Sequence, residues 1–109
     1  MMKSRDLIHW SHTVFRISQA FPKKFGDLGC DWTPQTIYAP EAEKLMVHLT
    51  IRQTGTGKTR LYYAYAHDNF TGFSTYPQLL FEYPDPDVQV LDADIMPMTD
   101  GRYCMTYCA

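Results

Sequence analysis

The sequence predicts an all-β chain that forms part of a β-propeller. Residues 45–52 carry the first sign. Leu45, Val47, Leu49 and Ile51 fall on one face and Met46, His48, Thr50 and Arg52 on the other, the period-2 pattern of a strand. A second sign is an internal echo at about 60 residues, the size of a propeller blade of about four short strands. The third is composition. Aromatic residues make up 15% of the 109 residues, with 8 Tyr, 6 Phe and 2 Trp, which suits pleated sheets better than helices.

The elements follow in order. Ser4-Arg5-Asp6-Leu7-Ile8-His9-Trp10 reads as the end of a blade. The stretch from Arg16 to Phe25 holds the one helical possibility, which Pro22 weakens. Strands are expected near 35–38, 45–52, 59–66 and 78–83, paired antiparallel as one four-stranded blade. A Gly-rich turn at 53–58 joins the second to the third, and Pro84-Asp85-Pro86-Asp87 ends the fourth. Residues 92–97 and 102–108 then form a hairpin about Thr99-Asp100-Gly101 and begin the next blade.

Two echoes define the repeat. Trp32-Thr33-Pro34-Gln35-Thr36-Ile37-Tyr38 with 45–50 resembles Leu91-Asp92-Ala93-Asp94-Ile95-Met96-Pro97 with 103–108, at an offset of about 58–59. Ser4 to Trp10 resembles Ala66-His67-Asp68-Asn69-Phe70-Thr71-Gly72, offset by about 62. Residues 1–109 therefore read as a single propeller segment: the end of one blade, one full blade and the start of the next. A small β-sandwich with similar strand pairs is the competing architecture.

Several function classes are excluded. Lys plus Arg is 10 and Asp plus Glu is 12, a formal charge of -2, without the basic footprint of a nucleic-acid protein. No apolar run reaches the ~20 residues of a membrane helix, and the start is too short in apolar residues for a signal peptide. Cys30, Cys104 and Cys108 are an odd set, and the last two stand roughly 13 Å apart if both lie on one strand. They read as thiols, and the His and Cys spacings do not make a zinc site. Gly55-Thr56-Gly57-Lys58-Thr59 imitates a phosphate-binding loop, but Arg52 stands where its first Gly belongs and a strand follows. No cofactor is expected.

Four segments resemble glycoside hydrolase family 43, the five-bladed propeller enzymes that act on arabinose- and xylose-containing polysaccharides. Ser4 to Trp10 is similar to its blade-ending S-x-D-L-x-x-W, and Asp31-Trp32-Thr33-Pro34-Gln35 to its W-A-P-D/Q, with Thr33 in place of Ala. Arg60 to Gly72 is similar to I-x-x-A-x-S-D-x-x-x-G. Leu91 to Ile95 followed by Asp100-Gly101-Arg102-Tyr103 resembles I-D-P-x-x-F…D-G-x-Y-Y-L, with Ala93 in place of Pro.

The resemblance implies inverting hydrolysis, in which a general acid and a general base stand roughly 6.5–9.5 Å apart so that a water fits between them. It also implies a third carboxylate that tunes the acid, and it assigns that role to Asp92, with Asp94 as the alternative. The base is expected in a blade before Ser4 and the acid in one after Ala109, so this chain alone should be inactive. Trp32 is a candidate sugar-stacking platform or an inter-blade wedge, and Gln35 a candidate amide for sugar hydroxyls or a turn contact. Asp92 taken by itself also suits a turn residue. The expected partners are a carbohydrate substrate and the remaining propeller blades of the parent chain, with no nucleic acid and no membrane. A non-catalytic carbohydrate-binding fragment and a small β interaction domain are the alternatives.

Overall fold

A computed structural model describes residues 1–55 and 57–109. It is all-β apart from two helical turns, and its strands form three antiparallel sheets of two, four and two strands in chain order. Hairpin β1 (Met2–Ser4) and β2 (Trp10–His12) makes the first. The middle sheet runs β3 (Leu28–Ala39), β4 (Lys44–Gln53), β5 (Thr59–Tyr65) and β6 (Gln78–Phe81), each strand beside its sequence neighbour. Hairpin β7 (Leu91–Pro97) and β8 (Tyr103–Cys108) makes the third.

Between β2 and β3 the chain forms α1 (Ile17–Ala20) and α2 (Pro22–Phe25). Pro22 separates them and opens the second, where its missing N–H costs nothing. Strand β3 begins at Leu28, earlier than the expected 35. Its early part pairs with β4 from Leu28↔Gln53 to Trp32↔Thr50, then an extra residue is inserted before pairing resumes at Gln35↔His48. Such a bulge breaks the alternation that marks a strand in sequence, which is why 28–34 did not read as one.

The middle sheet is covered on both faces. Val47, Leu49, Ile51, Tyr62 and Ala64 point to one side, where they bury Ile17 and Phe25 of the helical turns together with Phe73. Aromatic rings lock this layer: Phe25 meets Tyr62 edge-on with centroids 5.5 Å apart, and Phe15 lies 4.8 Å from Phe73. Gly72 is buried here, and a Cβ on it would stand 2.9 Å from the Phe15 ring. The opposite face presents His48, Thr50, Thr59 and Leu61 to the third sheet. Leu61 packs with Val90 and Ala93, and Phe81 meets Tyr107 at 5.1 Å.

The internal repeat has a structural counterpart. Strand β7 bulges between Leu91 and Asp94, and β3 between Trp32 and Gln35, so the bulges sit at matching places. Each contains a non-glycine residue in the left-handed region, Thr33 (φ 45°) in β3 and Asp92 (φ 55°) in β7. The weaker echo also has a counterpart: Leu7 (φ 65°) and Phe70 (φ 51°) occupy corresponding turns. At 53–58 a strand, β5, follows the glycine turn as expected; Thr56 of that turn lies outside the described residues. The three cysteines are free thiols.

Candidate functional site

The site grows from the two bulges. A β-branched residue at positive φ is costly, of the order of 1–3 kcal/mol, and Pro34 further restricts the backbone of Thr33. The conformation is held by contacts between sheets. The Thr33 hydroxyl donates to Asp92 Oδ1 at 3.0 Å, and the Asp92 N–H donates to the Thr50 hydroxyl at 3.2 Å. Two residues earlier, the Val90 N–H donates to Thr59 Oγ1 at 3.1 Å. The start of β7 is thereby fastened to β3, β4 and β5 together.

Beside this junction lies a cleft of about 530 Å³, with Trp32, Arg52, Thr59, Gln89, Leu91 and Asp92 in its walls. Trp32 is half-buried and Asp92 exposed. The Arg52 guanidinium lies 5.3 Å from the centroid of the Trp32 ring, a cation–π contact, and donates to the Cys30 thiol at 3.7 Å. Gln89 reaches across the cleft and its Oε1 accepts the Thr59 N–H at 2.6 Å.

Trp32 and Asp92, joined through Thr33, which stands 59 positions before Asp92, thus meet in one cleft. Gln35 and Asp94 do not line it. Each sits just past its bulge, Gln35 opposite His48 and Asp94 opposite Thr106, and both are exposed. Asp94 acts on the neighbouring sheet instead. His48 is only 2% exposed, and burial pushes its imidazole below the usual histidine range while the Asp94 carboxylate pulls it partly back.

A wider hollow of about 770 Å³ surrounds Ser4, Asp6 and His9, residue types that also occur in nucleophilic sites. Their bonding is that of a turn. The Ser4 hydroxyl accepts the Leu7 N–H at 2.9 Å and donates to Asp6 Oδ1 at 3.0 Å. Asp6 Oδ1 accepts the N–H groups of Ile8 and His9, and His9 Nδ1 lies 2.7 Å from Asp6 Oδ2. These bonds hold the Asp6 carboxyl far below its ordinary range, the His9 ring contributing most. The Ser4 hydroxyl proton is held by the Asp6 carboxylate, whose depressed pKa makes it too weak a base to activate a nucleophile. This S-x-D-L-x-x-W segment ties its own loop, with Trp10 Nε1 donating to the Leu7 carbonyl at 3.1 Å.

The family model described as a probable glycosyl hydrolase domain, related to family 43, matches residues 1–107. The chain belongs to that family. No curated protein and no solved structure matches it. For a glycosyl hydrolase domain the cleft has suitable parts: an indole ring, one carboxylate, one guanidinium and one carboxamide. A single carboxylate cannot serve as both acid and base. Among the described residues no group of three His, Cys, Asp or Glu is placed to hold a metal ion.

Arg52, Thr33, Gln89 and His48 were not singled out as site residues in the sequence. Thr33 had a usable signal, because it occupies in the first repeat the position that Asp92 occupies in the second. Arg52 reads only as the last polar residue of an alternating strand. Gln89 sits in a linker without pattern.

Proposed function

We propose that the chain is a segment of a five-bladed propeller glycoside hydrolase acting on α-L-arabinofuranosyl or β-D-xylosyl linkages by inversion. Asp92 is the carboxylate that tunes the general acid, and Asp94, aimed at a neighbouring sheet, is the weaker choice. Trp32 offers an aromatic face to the C–H face of a sugar, and Gln35 an amide to its hydroxyls from beyond the bulge. The acid and base belong to other blades. In this reading the two-, four- and two-stranded sheets are the end of one blade, a whole blade and the start of the next.

The observation that carries this reading is the hydrogen bond from Thr33 to Asp92. It sets the carboxylate at the seam between two repeats, beside Trp32 and at the mouth of a cleft. A negative charge there raises the pKa of a nearby glutamic acid and keeps its proton available for the leaving oxygen.

The test is hydrolysis of aryl arabinosides and aryl xylosides by the chain alone and by a complete enzyme containing it. The chain alone should show no turnover. In the complete enzyme, Asp92→Asn removes the repulsion, lowers the acid's pKa and moves the alkaline limb of the rate profile to lower pH. Turnover by the chain alone, or an Asp92→Asn enzyme with unchanged rate and pH profile, refutes the assignment.

A further inference from the structure

We propose that the cleft between β4 and the start of β7 binds a sugar that carries a carboxylate, a uronic acid unit, and that Arg52 is the residue that selects it. The inference rests on the reading of this cleft as a carbohydrate site and adds the charge of the sugar it takes.

Arg52 is a half-buried cation without an anion. Among the described residues it takes part in no ion pair, Asp92 in the same cleft included, whereas Lys58 and Arg60 on the neighbouring strand both engage Glu82. Among the described residues its side chain hydrogen-bonds to the Cys30 thiol, a weak acceptor. A guanidinium stays charged at any relevant pH and carries five N–H donors in a planar fork that matches a carboxylate two by two. Its contacts with the Trp32 ring and the Cys30 thiol restrict the side chain in advance, so less freedom is lost when an anion arrives.

The rest of the cleft completes a sugar subsite. The Trp32 ring adjoins the guanidinium, so a pyranose whose acid group reaches Arg52 has an aromatic edge beside it. The Gln89 carbonyl is taken by the Thr59 N–H, so the amide offers a ligand its NH₂ donors rather than its acceptor. Asp92, held by Thr33 in the same cleft, accepts hydroxyl protons and repels a carboxylate, which favours an acidic sugar with its charge toward Arg52.

The probes are methyl glucuronoside, methyl galacturonoside and methyl xyloside, titrated against the full chain and followed by the fluorescence of Trp32 in a Trp10→Phe background. A uronoside should bind roughly ten- to a hundredfold more tightly than the xyloside, and the preference should shrink as salt is added. Arg52→Gln should abolish the preference while xyloside binding changes little; Arg52→Lys should restore only part of it. A circular-dichroism melt checks that each variant folds. Equal binding of all three glycosides, binding of none by the folded chain, or a preference that survives Arg52→Gln overturns the proposal. Equal binding overturns it while leaving the hydrolase reading intact, which is decided separately by the Asp92→Asn pH profile.

Discussion

Thr33 of β3 and Asp92 of β7 occupy the same position in the two copies of the repeat, both with left-handed backbone, and are hydrogen-bonded to each other at 3.0 Å. The bond is between non-equivalent chemistries at equivalent places, a hydroxyl that gives and a carboxylate that accepts.

Substitutions at position 92 should separate backbone from side chain. Asp92→Ala keeps a Cβ at positive φ and loses the hydrogen bond, at a cost of about 1 kcal/mol or more. Asp92→Gly loses the same bond but relieves the strain, and should be the more stable of the two. Urea denaturation gives the order directly; alanine as stable as glycine contradicts the left-handed geometry.

His48 should make the fold sensitive to mild acid. Its folded pKa lies below the unfolded value of 6.5, so between pH 6.5 and the lowered value only the unfolded chain takes up the proton. The contribution is fully present above 6.5 and is lost as pH falls through that window. Tm should decline from pH 7 to pH 5, and His48→Gln should flatten the decline. Asp94→Asn should lower the His48 pKa further and extend the window downward. A Tm–pH slope identical in wild type and His48→Gln over that range counts against a buried neutral imidazole.

Leu61→Ala should loosen the third sheet before the second. Leu61 is 1% exposed and joins β5 to Val90 and Ala93, so truncation leaves a cavity costing about 2–5 kcal/mol. Hydrogen exchange should quicken first in Leu91–Pro97 and Tyr103–Cys108, while β4 stays protected by Phe25 and Ile17 on the other face. Uniform acceleration across both sheets contradicts this order.

The isolated chain should self-associate. Leu7 and Ile8 are 79% and 77% exposed, Tyr38, Leu79, Met96 and Tyr103 are also uncovered, and β8 has an unpaired edge. The Cα radius of gyration is 14.7 Å, against about 13 Å for a compact domain of this length. Sedimentation velocity should show species growing with concentration; a monomer with one sharp melt rules it out.

Much of the sheet order was legible because β4 and β5 are regular. Their two faces lie between two apolar layers, and Leu45 to Arg52 alternates without interruption. The candidate site was legible only in part for the same physical reason reversed. Trp32 and Asp92 sit at bulges, where alternation fails, and the family resemblance rather than the strand pattern marked them. Arg52 could not be found from pattern, because what distinguishes it is that no anion among the described residues pairs with it, and an absent ion pair leaves no trace in a strand's periodicity. The resemblance supplied the enzyme class; the residues supplied the seam.

The paired bulges also bear on how such a protein changes its chemistry. At each bulge the residue is exposed, and at Asp92 the backbone N–H is also tied to Thr50 of a neighbouring strand. A position of that kind accepts a hydroxyl in one copy and a carboxylate in the next without altering the sheet behind it. A single substitution at either bulge therefore adds or removes a charge at the seam between the two sheets, so the paired positions behave like two interchangeable mounts.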